Sequence, residues 1–205
     1  MQVEQLSHLW LRVQTGTVAG ESMQLLADED MLIHLAMHFA GHLIEREARL
    51  NQLLDLARFT RQAPVLDWEL IWAQLIQANI GRFVYASLLL AHQIFEASLP
   101  PPHIWQRLAA ITPGAFRQWL DTQGRFDVLT SDYRRRDKGQ DYRLTFLAAG
   151  SLRERFGIIR FAMLPPLGQI VVKYKLNHPW LGPLFYPRYV VERVGSYGRS
   201  WLIQR

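Results

Sequence analysis

The chain has 205 residues, 49% of them hydrophobic and 20% charged, which is typical of a folded globular protein and excludes a disordered one. It contains no cysteine, so disulfide bonds and thiolate metal sites are excluded. The net charge of +5 is unevenly distributed, because residues 1–124 carry 8 Lys/Arg against 12 Asp/Glu and residues 125–205 carry 15 against 6.

The N-terminal residues 1–26 mix β-branched and polar side chains around Gly16 and Gly20. This pattern predicts one or two short strands joined by turns. An acidic cluster, Asp28 to Asp30, then precedes apolar residues at helical spacing. Acidic side chains favour the positive end of a helix dipole, so we expect a helix to begin there and Gly41 to loosen it.

Prolines and capping residues divide the middle of the chain into further helices. A second helical pattern ends at Pro64, and Asp67 is a good N-cap for a helix over residues 68–78. The next helix, over residues 81–97, is apolar enough to be buried and stops before three consecutive prolines. Thr112 and Pro113 predict an N-cap followed by proline at the first helical position.

The C-terminal segment is more polar. Residues 125–140 are polar and charged and predict a loop or an exposed segment. Residues 142–149 and 152–163 have helical patterns, which are cut at Pro165-Pro166 and continue more weakly to Val194. The sequence therefore predicts a mainly α, multi-helix single domain with a small N-terminal β element. Its parts are a β-containing segment 1–26, a helical core 27–124 and a basic helical segment 125–205 packed on that core.

We expect a cytoplasmic protein without a membrane span. Met1 to Leu11 lacks the basic start and apolar run of a signal peptide. The most apolar stretch, Phe83 to Phe95, is broken by His92 and is shorter than the roughly 20 residues that a membrane helix needs.

A recurring pattern follows the acidic cluster. It runs from Leu32 to His42 with three histidines, continues from Arg49 to Ala57, and ends with Leu66-Asp67-Trp68. It resembles the helical region of an uncharacterised nucleotidyltransferase-like family found in many bacteria. The stretches from Leu164 to Tyr174 and from Pro187 to Tyr189 also fit that family's tail, so the resemblance spans roughly residues 1–195.

The resemblance implies nucleotidyl transfer from a nucleoside triphosphate, which needs a Gly-Ser turn and paired aspartates that hold divalent metal. Neither Gly150-Ser151 nor Gly195-Ser196 is followed by such a pair, and Asp28-x-Asp30 is better interpreted as a helix start. Glu4 falls where the family places the strand of its third acid, but a single carboxylate cannot assemble the site. The chain is thus expected to begin after the catalytic part, and whether it is an enzyme stays open.

The most specific part of the resemblance is a candidate motif of His34, His38, His42, Arg49 and Asp55. Histidines four residues apart advance about 6 Å along a helix, so neighbouring pairs meet on one face. A zinc site would need a third ligand, and no cysteine and no Glu directly after His34 or His38 supplies one. We therefore interpret the histidines as hydrogen-bonding to neighbouring helices, such as the one that bears Asp55, and predict no metal and no cofactor.

A second candidate is an anion-binding run of Arg134, Arg135, Arg136 and Lys138 between two tyrosines. Such a run can grip phosphates, although a solvated charged loop interrupted by aspartates is the commoner structure. Nucleic acid is thus a possible partner that the sequence does not favour.

Three functions remain. The leading hypothesis is a non-catalytic, nucleotidyltransferase-related helical module that binds a protein partner or a substrate carrier. The alternatives are a nucleotidyltransferase whose active site is unrecognised or completed in trans, and a polyanion- or nucleic-acid-binding protein that uses its basic half.

Overall fold

The structure is a computed structural model that describes residues 12–45, 47–62, 65–130 and 138–203. This part of the chain is mainly helical, with a two-stranded antiparallel sheet near the N-terminus, which confirms the fold class expected from the sequence. The chain divides into two compact units, residues 1–134 and 135–205, where the sequence had favoured a single domain. The packing of the basic segment on the core stays a prediction.

The sheet is a β-hairpin of β1 (Gln14–Val18) and β2 (Glu21–Leu25). Val18 pairs with Glu21, so the turn consists of Ala19 and Gly20. Both turn residues have positive φ, 53° and 89°, as in the tight hairpin turns whose twist matches that of the strands. The strands predicted for residues 1–26 are confirmed from Gln14 to Leu25.

The first unit continues with seven helices in its described residues. Their bounds are α1 Asp28–Ile44, α2 Leu50–Gln62, α3 Trp68–Gln77, α4 Gly81–Phe95, α5 Pro102–Ile111, α6 Gly114–Trp119 and α7 Arg125–Thr130, with a π-helical segment, Leu120–Gly124, between α6 and α7. The helix predicted to start at the acidic cluster is confirmed, and it runs through Gly41 without a break. The Asp67 cap is also confirmed, because its Oδ1 accepts a hydrogen bond from the Leu70 backbone N–H at 3.0 Å.

The core of this unit lies where α4 packs against α1 and α2. α4 is buried on most of its circumference, as expected for the most apolar helix of the chain. α1 buries Leu32, Ala36, Phe39 and Leu43, which lie three or four residues apart and so form one apolar stripe. The opposite face of α1 carries the histidines, so the packing of the core fixes where they point.

Two predictions for this unit are wrong in detail. Thr112 does not cap α6, because Pro113 occupies the cap position and the Thr112 hydroxyl donates back to the Leu108 carbonyl at 2.7 Å. Residues 125–140 are not a continuous loop, since Arg125–Thr130 is helical and another helix begins at Lys138. Residues 131–137 lie outside the described residues.

The second unit contains α8 (Lys138–Ala148), α9 (Leu152–Met163), α10 (Leu167–Lys173), a 3₁₀ segment (Pro179–Phe185) and α11 (Tyr186–Ile203). α9 contacts both α8 and α11. Ser151 caps α9 by accepting a hydrogen bond from the Glu154 backbone N–H at 3.1 Å. Gly150-Ser151 is therefore a helix cap, and the predicted bounds of α9 and its break at Pro165-Pro166 are confirmed.

Candidate functional site

The three histidines of the candidate motif form a continuous row on α1. The rings of His34 and His38 are stacked with centroids 6.1 Å apart, and those of His38 and His42 meet edge to face at 4.7 Å. His34 and His38 are exposed, whereas His42 is half-buried. Neighbouring pairs thus meet as the spacing predicts, but the first two imidazoles face solvent instead of packing under another helix.

The row is linked to α2 through Gln52. The Gln52 side-chain amide Nε2 donates to His38 Nε2 at 3.4 Å, and the Gln52 Oε1 accepts from the Arg49 backbone N–H at 3.1 Å. This is the kind of contact that we expected, since α2 is the helix that bears Asp55. The Arg49 residue itself is exposed.

Asp55 lies in a groove of the first unit with a volume of about 360 Å³. Asp28 and Arg58 line the same groove, and Met31, Leu35 and Phe59 supply apolar wall. The groove therefore places two carboxylates and one guanidinium around an apolar floor. Its lining also includes Leu25, Leu26 and Gln62.

A cluster that the sequence did not predict lies at the C-terminal end of α1. His42, Glu45 and Glu47 each offer one ligand-type atom, and these three atoms all lie within 4.8 Å of one another. The Glu47 backbone N–H donates to the His42 carbonyl at 2.7 Å, and this turn returns Glu47 to the histidine. Acids three and five residues after His42 were the available signal, but only the conformation of the turn shows that they converge.

The acidic cluster at the start of α1 is used structurally. Asp30 is buried and forms an ion pair with Arg12, while Glu29 Oε1 accepts a hydrogen bond from the Asp67 backbone N–H at 3.1 Å. Burial raises the pKa of the Asp30 carboxyl above its usual value, although the Arg12 guanidinium opposes the shift. These contacts tie the start of α1 to the preceding segment and to the start of α3.

The side chains of the predicted anion-binding run all lie outside the described part of the structure. Arg134, Arg135 and Arg136 lie outside the described residues, as does Glu4, and Lys138 begins α8 with a side chain that is also outside them. Their role in anion binding stays a prediction.

The second unit presents large apolar side chains to solvent. On α9 the exposed fractions are 81% for Leu152, 70% for Phe156 and 49% for Ile159. These residues lie four and three positions apart, so they form one stripe along the helix, called here the α9 stripe. Further exposed apolar residues of this unit are Phe161, Leu164, Leu167, Val172, Trp180, Leu184, Val191 and Val194.

A cavity of about 560 Å³ lies at the C-terminal end of α9. It is lined by Arg160, Phe161 and Tyr186 together with Gly157 and the segment Leu164–Pro166. The Tyr186 hydroxyl donates to the Pro165 carbonyl at 2.6 Å, which fixes the proline break against α11. The cavity has apolar walls and one guanidinium, and none of the three residues of the α9 stripe lines it.

By length and composition alone, one segment of the described chain could cross a membrane. It is Leu152–Lys173, and 17% of its apolar 18-residue window is buried. α9, the proline break and α10 all fall inside it. This finding leaves the expectation of no membrane span untested.

Opposite charges bring α10 and α11 together. Glu192 accepts hydrogen bonds from Lys173 Nζ at 2.7 Å, from Arg188 Nε at 3.0 Å and from the Tyr174 hydroxyl at 3.1 Å. The hydrogen bonds from Lys173 and Arg188 lower the pKa of the Glu192 carboxyl to about 2. Glu192 thus neutralises part of the positive charge on this unit.

Comparison with known proteins supports the family resemblance over part of the chain. Neither a curated protein nor a solved structure matches the chain. The match to a family model ends at residue 96, so the likeness of residues 164–189 to the family's tail stays a prediction. The matched residues, 2–96, include the hairpin, the histidine row and the end cluster of α1. They match the family model described as an uncharacterised nucleotidyltransferase, so this part of the chain is nucleotidyltransferase-like.

Proposed function

We propose that this protein is a non-catalytic, nucleotidyltransferase-related helical module that binds a protein partner through its basic second unit. The observation that carries the proposal is the α9 stripe, in which three large apolar side chains of one helix face solvent. Contiguous exposed apolar surface on a folded protein marks an interaction site more often than scattered single residues do. The stripe offers helix-in-groove recognition, in which residues spaced by three and four positions anchor one helix to another surface.

The size of the side chains makes the stripe energetically significant. Burying a Leu, Ile or Phe side chain that was fully exposed contributes about 1.5–3 kcal/mol. Leu152 and Phe156 are largely exposed and Ile159 about half, so a partner that covers all three gains several kcal/mol before the cost of association.

The charge around the stripe indicates the chemistry of the partner. Residues 135–205 carry 13 Lys/Arg against 4 Asp/Glu, and Arg153 and Arg160 are exposed on α9 itself. A partner with an acidic rim around an apolar centre would be attracted by this field. We therefore propose that the partner is a cytoplasmic protein with an acidic rim, either a separately encoded catalytic subunit or a substrate carrier.

The contacts at the start of α1 support the non-catalytic part of the proposal. A two-metal transferase site needs carboxylates that converge on the ions, and Asp30 is instead buried against Arg12. The family match favours one rival, a transferase whose active site is completed by another subunit. In that case the same surface would join the subunits, but nucleotide transfer would appear once they are combined.

Site-specific photo-crosslinking tests the proposal. A photoreactive residue in place of Phe156 should crosslink one discrete protein in the source cells, because the stripe would be covered by the partner. The same residue in place of Ile76, which is 47% exposed on α3 of the first unit, is the matched control and should not crosslink that protein. The purified partner must then bind the purified chain directly.

Two results would contradict the proposal. One is equal crosslinking from Phe156 and Ile76. The other is binding of the chain to vesicles of anionic lipid through the α9 stripe with no crosslinked protein, which would assign the stripe to a membrane surface. Metal-dependent nucleotide transfer by the chain alone would contradict the proposal that the protein is non-catalytic.

A further inference from the structure

The end cluster of α1, His42 with Glu45 and Glu47, combines two kinds of ligand that transition metals use. The imidazole Nδ1 of His42 is buried, makes no hydrogen bond, and lies 3.9 Å from Glu47 Oε2. That separation is too long for a hydrogen bond but is close to the spacing of two ligands on one ion, since zinc lies about 2.0–2.2 Å from nitrogen and carboxylate oxygen. The donor set is therefore nearly assembled.

The position of the cluster at the end of a helix favours a cation. α1 is 17 residues long, and Glu45 is its C-cap. The C-terminus of a helix carries a partial negative charge, which repels the two carboxylates placed there. A positive charge between the carboxylates would relieve this repulsion. The Glu45 backbone N–H donates to the Gly41 carbonyl at 3.0 Å, which holds the cap residue beside the histidine.

We propose that His42, Glu45 and Glu47 bind one divalent transition-metal ion of the zinc class. Imidazole nitrogen selects zinc-class ions over Mg²⁺ and Ca²⁺, which prefer oxygen ligands throughout. Three protein ligands leave the fourth tetrahedral position open to water or to a ligand atom of another molecule. The site differs from the paired aspartates that the family resemblance implies, because one of its three ligands is an imidazole.

Titration of Zn²⁺ into the purified, untagged full-length chain tests the site. Calorimetry should show one ion per chain, and Co²⁺ in place of Zn²⁺ should give the visible absorption of a tetrahedral site. Removing a residue that only hydrogen-bonds to a metal ligand lowers metal affinity about 10–100-fold. His42→Ala removes a ligand itself, so it should lower the affinity at least as much. Glu45→Gln and Glu47→Gln, which keep the side-chain shape, should each weaken binding at least tenfold.

His34→Ala is the matched control, because His34 is an exposed histidine on the same helix and lies outside the cluster. Its affinity for Zn²⁺ should equal that of the wild-type chain. Absence of 1:1 binding would overturn the proposal, as would His42→Ala or Glu47→Gln binding like wild type. If His34→Ala lowered the affinity for Zn²⁺ as much as His42→Ala, the proposal would also be overturned, since the ion would then lie on the exposed histidine pair.

Discussion

Ser87 on α4 donates its hydroxyl hydrogen to the carbonyl oxygen of Ala36 on α1 at 2.7 Å, across 51 residues of sequence. Both residues are fully buried. The same hydroxyl lies 3.0 Å from the Phe83 carbonyl of its own helix. Small side chains at both positions allow the two helices to approach closely, and the hydrogen bond fixes α1, with its histidine row, against the core.

Replacing Ser87 tests this relationship. Ser87→Ala should lower the free energy of unfolding by about 1 kcal/mol, since a buried hydrogen bond contributes about that much net. Ser87→Val should cost about 1–3 kcal/mol because it also overfills the contact. Urea denaturation of the full chain measures both. Thr122→Ala, which removes an exposed hydroxyl bonded to the Gln118 carbonyl, is the control, and a loss as large as that of Ser87→Ala would contradict the assignment.

The Arg12 and Asp30 pair makes stability depend on pH. Burial raises the pKa of Asp30, so the charged form is disfavoured in the folded state, and the stability contributed by this residue decreases as the pH rises from its ordinary pKa to the raised one. Arg12→Met removes the compensating charge. We expect it to destabilise the protein by about 1–3 kcal/mol at pH 7, because the buried carboxylate loses its partner, and by less at pH 4, where Asp30 can take up a proton.

Thermal unfolding at the two pH values measures that difference. Arg107→Met, which breaks the exposed ion pair between Arg107 and Glu69, is the control and should cost less than about 1 kcal/mol at pH 7. If Arg12→Met lowered the stability of the protein equally at pH 4 and pH 7, Asp30 would not be the buried charge of this region.

Glu192 should titrate far below a typical glutamate. Its pKa is lowered to about 2 by the hydrogen bonds from Lys173 and Arg188. The contribution of this carboxylate to stability is therefore present above the ordinary value of 4.5 and is lost as the pH falls from there through about 2. Carbon-detected NMR of the Glu192 carboxyl measures this directly, with Glu192→Gln identifying the resonance. A midpoint near 4.5 would show that the three hydrogen bonds do not persist in solution.

The basic run should not confer binding of nucleic acid. If the positive charge serves a protein partner, retention on single-stranded RNA should be negligible near physiological salt for both the wild-type chain and the Arg134→Ala/Arg135→Ala/Arg136→Ala variant. Each neutralised phosphate releases counterions, so true nucleic-acid binding falls steeply with salt. Tight binding with a salt slope that the triple substitution flattens would support the polyanion alternative instead.

Local signals in the sequence were sufficient for most of the fold. Asp28 to Asp30, Asp67 and Pro165 each act within one helical turn, so their residue types alone predicted where α1, α3 and α9 begin or end. The errors arose where two local signals compete. Thr112 can cap the next helix or bond back to the preceding turn, and the structure shows the second.

The candidate sites depended on information that residue spacing does not carry. The period of α1 predicted the contacts along the histidine row, but Glu45 and Glu47 reach His42 through a turn that has no fixed period. The apolar spacing of α9 correctly predicted a helix. It gave no indication that Leu152 and Phe156 face solvent, because that depends on which tertiary neighbours cover each face.

The affinity of the chain for its purified, crosslinked partner tests the partner-binding claim most directly. We expect Leu152→Ser/Phe156→Ser/Ile159→Ser to weaken binding by about 100-fold or more, since a loss of only about 2.7 kcal/mol in buried apolar contact has that effect. Leu152 and Phe156 are largely exposed and Ile159 is about half exposed, so circular dichroism should remain unchanged. Ile76→Ser, on the first unit, should bind like wild type, whereas an unchanged affinity of the triple variant would contradict the proposed function.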